Sequence, residues 1–414
     1  MLFDSQLRAE HRAFAAQDAA RRTERAREAR AAMATRGTVE IEYLPFGPAD
    51  ASGAPTCEVV AAYAEVELEY AAIRNGVALV DCPQRTTVAV RGKDRVDFVN
   101  RLLTQEIGKL PDAGVTRAFL TNRKGRIEAD LVVCKIGELL LLDTLVHDGV
   151  GVQSALEKLL FSEEVVIASR QETHARLALH GPKAEAALRA VDLASPNACD
   201  EAWSAPLGSA HAECWRVNEL GVAGVELSIP LAHAATIWRS LTTFGARPAG
   251  WFAVNTARVE AGTPYFRIDF GPTNLPQESG VLASRVSFTK GCYPGQEVVA
   301  RLQHLGKPKQ KLVGLRIEED LLPVADAQVF AKLNTEGAES RFGDQVGVVT
   351  SSALAPMLGA VPVAFAMIAS SSYADGTTVL VNAEGAQATA TVGSLSFLAS
   401  SDAADSQSQR GGSS

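Results

Sequence analysis

Hydrophobic and polar positions follow the same order in two stretches in the middle of the chain. In each, an alternating segment that ends in glycine precedes a helical pattern, a longer β-rich region and a second helical pattern. The glycine-ended segments are 87–92 and 177–181, the β-rich regions are 116–144 and 214–229, and the second helices are about 148–160 and about 230–243. The repeat predicts two related halves, each of mixed α and β structure.

The pattern changes after about residue 309. Short β segments then alternate with turns rich in Gly, Asp, Pro and Asn, which is typical of an all-β module. The predicted strands are 311–317, 327–332, 346–352, 361–369, 377–382 and 386–393. Residues 399–414 contain almost no large apolar side chains, so we expect a disordered tail.

The first 55 residues form an extension of different composition. Residues 5–34 are rich in Ala, Arg, Glu and Gln and lack Gly and Pro, which predicts an exposed helix. A targeting peptide is the alternative, but such peptides avoid acidic residues and this segment is rich in them. Residues 45–56 contain three prolines and two glycines and are predicted to form a linker.

Composition excludes several classes of protein. A chain of 414 residues with 47% hydrophobic residues can bury more than one core. Its net charge of −8 gives no strong field to attract nucleic acid or an anionic membrane, so we expect neither as a direct partner. No apolar run reaches the roughly 18 residues needed to span a bilayer.

The six cysteines are widely spaced, without Cys-x-x-Cys pairs and without histidines at zinc-ligand spacing. We therefore expect no disulfide framework and no stably bound metal, and we expect a reducing, cytoplasmic location. Cys82 and Cys134 lie in apolar, strand-like surroundings and are predicted to be inert core residues.

One thiol differs from the others. Cys292 lies between two glycines, beside Lys290, where Pro294 suits the first turn of a helix. A cation and a helix N-terminus both favour the thiolate, so we expect Cys292 to be reactive and reachable from solvent. A buried cysteine in a tight turn is the alternative. One cysteine cannot hold an iron–sulfur cluster alone, so any contact with a cluster would be shared or transient.

This segment resembles the signature of the YgfZ-type folate-binding proteins, which belong to the superfamily of the glycine-cleavage T-protein, an aminomethyltransferase. The matching residues are Lys290, Gly291, Cys292, Tyr293, Pro294, Gly295, Gln296 and Glu297, followed by Val299, Ala300 and Arg301. Other segments resemble further landmarks of the superfamily: 177–182, 224–230, 258–264, 275–278 and 346–351.

The resemblance implies an α+β fold with two related antiparallel-sheet domains around a central cavity and a small C-terminal β-barrel. Together with the patterns above, it divides the chain into four parts. These are the N-terminal helical extension and linker 1–55, the folate-binding α+β domains 56–308, the barrel 309–398 and the tail 399–414.

The resemblance also implies a site for tetrahydrofolate or a derivative. A pterin edge offers two parallel N–H donors, which a carboxylate accepts, and Glu226 matches the glutamate that does this in T-proteins. Arg258 matches the folate-side arginine. The alternatives are a solvated strand face for Glu226 and an ion pair with Glu260 or Asp269 for Arg258. Residues 219–222 depart from the family's Tyr-Thr-Gly-Glu.

Segment 120–131 resembles the T-protein segment that reaches the reactive nitrogen of folate. Asn122 and Asp130 match its folate-site positions, but Ala129 replaces the other member of a paired aspartate. Asp130 alone can still accept a hydrogen bond or act as a base, and a turn or strand-face aspartate is the alternative. We expect folate binding to be retained and one-carbon transfer to be lost.

We therefore predict a folate-binding accessory factor for the assembly or repair of iron–sulfur proteins, with an indirect effect on tRNA modification. Its partners would be iron–sulfur client or assembly proteins. A tetrahydrofolate-dependent aminomethyltransferase is the alternative. The degraded aspartate pair and the intact cysteine signature both favour the accessory factor. Direct RNA binding is supported only by a short basic run at 301–311, which is typical of a solvated turn.

Overall fold

The computed structural model describes residues 3–28, 41–333 and 341–398. The predicted disordered tail and the end of the predicted N-terminal helix lie outside these residues. No helix within the described ranges is both long enough and apolar enough to cross a membrane.

The described residues form helices and strands in a mixed order along the chain. The helices are α1 (Arg8–Glu28), α2 (Val66–Asn75), α3 (Arg95–Asn100), α4 (Val146–Glu157), α5 (Ala184–Ala190), α6 (Leu231–Phe244), α7 (Trp251–Ala261), α8 (Leu282–Arg285) and α9 (Gln296–Leu305). The strands are β1 (Tyr43–Pro45), β2 (Glu58–Val60), β3 (Ala78–Asp81), β4 (Arg85–Arg91), β5 (Val115–Thr121), β6 (Ile127–Ile136), β7 (Leu139–Leu145), β8 (Val166–Ser169), β9 (His174–His180), β10 (Ala202–Leu207), β11 (Ala210–Val217), β12 (Gly224–Pro230), β13 (Arg247–Pro248), β14 (Gln310–Ile317), β15 (Gln328–Leu333), β16 (Arg341–Ala355), β17 (Val361–Ala369), β18 (Thr378–Ala383) and β19 (Ala386–Gly393). Two 3-10 helices cover Pro276–Glu278 and Pro356–Leu358.

Contacts within the chain divide it into two compact units. The first unit contains Met1–Asn218, Val222–Val254 and Leu282–Arg301. The second contains Glu219–Gly221, Asn255–Val281 and Leu302–Ser414.

The first unit is built on two sheets. One has six strands in the order β10-β11-β12-β9-β3-β13, and the other has five in the order β5-β6-β7-β4-β8. Their pairs are antiparallel except for the parallel pair of β13 with β3. Helices α5 and α6 pack on the six-stranded sheet, and α3 and α4 pack on the five-stranded sheet. The predicted pair of related α+β halves is confirmed.

The two sheets share a further apolar cluster on the faces that the helices leave uncovered. Its members are Ala89, Val132, Cys134, Leu139, Leu141, Ala202 and Trp215. Side chains alternate along a strand, so Ala129 and Leu131 of β6 lie in the helix-side cluster while Val132 and Cys134 lie in the shared one. We call the surfaces on the shared side the inner faces.

The second unit contains a closed six-stranded barrel in the order β14-β17-β16-β15-β18-β19. Pairing of β14 with β19 closes it, so no strand edge of the barrel stays open. Its six strands correspond to the six predicted β segments, and alternate residues such as Val313, Leu315 and Ile317 fill the interior. The predicted C-terminal β-barrel is confirmed.

The N-terminal helix α1 belongs to the core of the first unit along one face. Ala15 of α1 and Leu7, directly before the helix, join the cluster of the six-stranded sheet, and His11 is fully buried. The His11 ring centroid lies 5.2 Å from that of Tyr63 and 5.1 Å from that of Trp238. The prediction of an exposed helix is wrong for this face, because residues four apart lie on the same side of a helix.

Candidate functional site

The Cys292 loop, residues 286–295, joins α8 to α9 in the first unit. Lys290 is buried, and its ammonium donates to the backbone oxygens of Asn100 and Leu103 at the end of α3. It also lies 5.3 Å from the ring centroid of Tyr293. Burial lowers the pKa of Lys290 to about 8, against an opposing effect of Glu106. Lys290 thus fastens the loop to α3, whereas the sequence predicts that it stabilises a thiolate.

The other end of the loop rests on the turn between β5 and β6. Thr121 Oγ1 donates to Pro294 O at 2.6 Å. Gly295 has a φ of +81°, and a Cβ there would lie 2.3 Å from Asn122 O and 2.8 Å from Gly125 Cα. Only a glycine lets the two backbones approach so closely. Helix α9 begins at Gln296, two residues later than predicted.

Cys292 itself is exposed on this pinned loop. Cys82 and Cys134 are buried, and burial raises the pKa of each thiol well above its usual value, so their predicted placement in the core is confirmed. Cys199 is also exposed, which the sequence analysis missed. Glu297 and Arg301 of α9 are exposed as well. The described structure therefore presents two thiols to solvent, and one of them is Cys292.

Asp130 lies on the inner face of β6 with an ion-pair partner. Its Oδ1 is 3.2 Å from Nε of Arg285, and the two side chains are 15% and 7% exposed. The backbone of Arg285 is held in turn, because its carbonyl accepts a hydrogen bond from Thr104 at 2.7 Å. Asp130 is therefore a half-buried aspartate on the face of β6, held by Arg285, so the turn alternative is wrong and the strand-face alternative describes its position.

Ala129 points the other way. It is fully buried in the apolar cluster beneath α3 and α4, next to Leu131 and Val133. A carboxylate at this position would enter that cluster and would not face the same side as Asp130. The expectation that Ala129 marks a carboxylate lost from beside Asp130 is therefore wrong for this chain.

Asn122, the other predicted folate residue of this segment, organises the β5–β6 turn. Its side-chain oxygen accepts hydrogen bonds from the backbone N–H groups of Lys124 and Arg126, at 2.9 and 3.1 Å. Gly125, at φ +72°, completes the turn. The Asn122 side chain thus accepts the hydrogen bonds that a backbone carbonyl would accept in a turn.

Glu226 lies on the inner face of β12, opposite Trp215 and Ala178 in the sheet register. It is 12% exposed, so the alternative of a solvated strand face is wrong. Its Oε2 accepts a hydrogen bond from Nη2 of Arg176 at 2.8 Å.

Arg176 is the centre of a buried charge network that the sequence analysis missed. Its Nε donates to Asp143 Oδ1 at 3.0 Å, and Nη1 donates to the carbonyl of Leu227. Arg85 contacts the other oxygen of Asp143. Burial opposes the charge of Arg176, but Asp143 and Glu226 together raise its pKa above the usual value. The sequence signal that could have identified this network is a charged residue in each of two otherwise apolar strands. These are Arg176 in 174–180 and Asp143 in 139–145.

Arg176 also contacts an aromatic ring and lines a cavity. The central carbon of its guanidinium lies 4.3 Å from the centroid of the Trp215 ring. Arg176 and Arg85 line a cavity of about 380 Å³ in the first unit. The N-terminal residues 3–7 form part of the wall of this cavity.

Arg258 belongs to the second unit and is fully buried. Its Nη1 donates to Asp269 Oδ2 at 2.7 Å, and its Nη2 donates to Ser351 Oγ at 2.6 Å. The guanidinium carbon lies 4.7 Å from the centroid of the Tyr265 ring. These contacts favour the ion-pair alternative over the predicted folate contact of Arg258.

Comparison with known proteins places these features in a family. Residues 26–290 match the family model described as the GCVT N-terminal domain, and residues 310–398 match the glycine cleavage T-protein C-terminal barrel domain. The chain is similar to aminomethyltransferases of Caldanaerobacter subterraneus subsp. tengcongensis (29% identity, covering 70% of this chain and 76% of that protein) and of Moorella thermoacetica (29%, covering 81% and 90%). In fold it is similar to the crystal structure of glycine cleavage system aminomethyltransferase T from Bartonella henselae, with a TM-score of 0.75 and 23% identity over 86% of this chain and 94% of that one.

Proposed function

Since the chain belongs to the glycine cleavage T-protein (GCVT) family, we propose that it binds a reduced folate and acts as an accessory factor in the assembly or repair of iron–sulfur proteins. The ligand is tetrahydrofolate or a derivative. The partners are iron–sulfur client or assembly proteins, and tRNA modification is affected indirectly through such an enzyme.

The inner faces of the first unit support the folate part of this proposal. Glu226 on β12 supplies a half-buried carboxylate, and Asp130 on β6 supplies a second one on the opposing sheet. Glu226 would accept the two N–H donors of the pterin edge, which is a charge-assisted pair of hydrogen bonds. Asp130 would lie toward the reduced ring, as the family resemblance implies. The contact between Glu226 and Arg176 means that a ligand must share this carboxylate or take it over.

The observation that carries the accessory role is the packing of the Cys292 loop against the β5–β6 turn. The same hairpin that leads into Asp130 is contacted by Pro294 and Gly295 of the loop. Lys290 and Tyr293 are buried on either side of Cys292, so the exposed thiol is held by a fixed backbone. A folate on the inner faces and a partner at the thiol would therefore contact opposite ends of one packed segment.

Two measurements test this function in the same preparation. Calorimetry should detect tetrahydrofolate binding, and Glu226→Gln should weaken it by about 1–3 kcal/mol because a charge-assisted acceptor is replaced. Cys292→Ser should keep folate binding and the melting temperature but should lose support of iron–sulfur enzyme activity in cells. Cys199→Ser is the matched control, because Cys199 is exposed outside the loop. Full support of those enzymes by Cys292→Ser would refute the role of the thiol.

A second candidate, a tetrahydrofolate-dependent aminomethyltransferase, is favoured by one observation. Ala129 faces away from Asp130, so the alanine removes no carboxylate from the inner face, where Asp130 lies paired with Arg285. The curated relatives named above are themselves called aminomethyltransferases. Methylene transfer assayed with a lipoyl carrier protein distinguishes the two candidates. Turnover within about tenfold of a T-protein, a difference of about 1.4 kcal/mol in the barrier, would establish the transferase.

A further inference from the structure

The guanidinium of Arg176 has the same hydrogen-bonding character as the ligand edge that Glu226 is proposed to bind. Both are planar groups that present parallel N–H donors, and a carboxylate is the natural partner of each. In the structure, Nη2 of Arg176 is 2.8 Å from Glu226 Oε2, and Nε is 3.0 Å from Asp143 Oδ1. Trp215 stacks against the guanidinium as it would against a planar ring.

The surroundings of Arg176 also contain space into which its side chain can turn. The residues that line the cavity of about 380 Å³ include Arg176 itself and the acidic residues Asp81 and Glu172. Gln171 also lines it, and its Oε1 is buried without a hydrogen-bond partner. A guanidinium that left Glu226 would therefore meet acceptors there and would not remain unpaired.

We propose that Arg176 is an internal stand-in for the pterin edge and turns into the cavity beneath residues 3–7 when a reduced folate takes over Glu226. The inference rests on the proposed folate site and adds a specificity-determining residue to it. A ligand that lacks the donor edge cannot replace Arg176 at Glu226. Such a ligand is therefore excluded for as long as Arg176 occupies the carboxylate. The apparent affinity for folate is lowered by the small fraction of molecules in which Glu226 is uncovered.

Removal of the guanidinium is the direct test. Arg176→Met keeps an unbranched side chain and uncovers Glu226, so calorimetry should show at least tenfold tighter binding of tetrahydrofolate than in the parent. Arg216→Met is the matched control. Arg216 lies on β11 of the same sheet, pairs with Glu185, and its guanidinium carbon lies 5.2 Å from the centroid of the Trp203 ring. Its replacement should leave the affinity unchanged.

A second readout follows the movement itself. In a crystal structure of the tetrahydrofolate complex, the Arg176 guanidinium should have left the Trp215 ring and should lie within the cavity. If Arg176→Met fails to fold in a melting experiment, Arg176→Lys replaces it. A lysine head cannot pair with two carboxylates as a fork does, so binding should tighten by about threefold or more.

The outcomes separate this inference from the folate proposal. If Glu226→Gln weakens binding but Arg176→Met or Arg176→Lys does not strengthen it, Arg176 shares the carboxylate with the ligand and the displacement is refuted, while the folate site stands. Displacement would be supported most strongly if the Arg176 variants bound tetrahydrofolate and the parent did not. If neither the parent nor these variants bind tetrahydrofolate, both proposals fall.

Discussion

Replacing Gly295 with alanine tests how the Cys292 loop is held on the β5–β6 turn. At a φ of +81°, an alanine strains the backbone by about 1 kcal/mol. Its Cβ would lie 2.3 Å from Asn122 O and 2.8 Å from Gly125 Cα, and because both are backbone atoms, the loop or the turn must move. Overpacking of this kind costs about 1–3 kcal/mol. We therefore expect the free energy of unfolding to fall by about 2–4 kcal/mol.

Urea unfolding followed by tryptophan fluorescence measures this effect. All four tryptophans lie in the first unit, so the signal reports on the unit that contains the loop. Gly291→Ala is the matched control, since Gly291 is exposed in the same loop and an added Cβ there has no atom within 4 Å. Its effect should stay within about 0.5 kcal/mol. Equal stability of the two variants would refute the close packing of the loop on the turn.

Three further predictions follow from burial and pairing. Iodoacetamide at neutral pH should modify Cys292 and Cys199 well before the four buried cysteines, as followed by mass spectrometry. Lys290 has a pKa of about 8 in the folded protein and an ordinary value of 10.5, so the unfolded state binds more protons between those values. Its contribution to stability should therefore rise with pH across this window, a slope that Lys290→Met should remove in urea titrations. Arg258→Met should destabilise the second unit by about 3–5 kcal/mol, measured by hydrogen exchange of barrel amides, because the Asp269 carboxylate loses its buried cation.

The arrangement of strands and helices could be predicted where side chains alternate regularly. Leu177 and Leu179 face the helices, and Ala178 between them points to the opposite side of the sheet, as a period of two requires. Helix α1 was predicted correctly in type but not in burial. A histidine at position 11 hides the apolar stripe of Leu7 and Ala15, because its ring is counted as polar although aromatic neighbours surround it.

The candidate site was predictable in composition but not in contacts. The sequence identifies Glu226 and Asp130 as candidate folate-site carboxylates, yet their partners come from positions 50 and 155 residues away in the sequence. The Lys290 ammonium donates to backbone carbonyl groups about 190 residues away in the sequence. No local sequence pattern could therefore show that it has these partners. Ala129 and Asp130 are neighbours in a strand, so their side chains point to opposite faces of the sheet. The resemblance to a paired aspartate did not take this alternation into account.

The position of His11 affects where this protein can be cut. The match to the N-terminal family domain begins at residue 26, which suggests a convenient limit for a shortened protein. The structure places the fully buried His11 ring upstream of that limit, against Tyr63 and Trp238. A protein that began at residue 26 would expose this aromatic surface to water and open one wall of the cavity next to Arg176. A protein shortened for expression, crystallisation or fusion to a tag should therefore begin before Leu7.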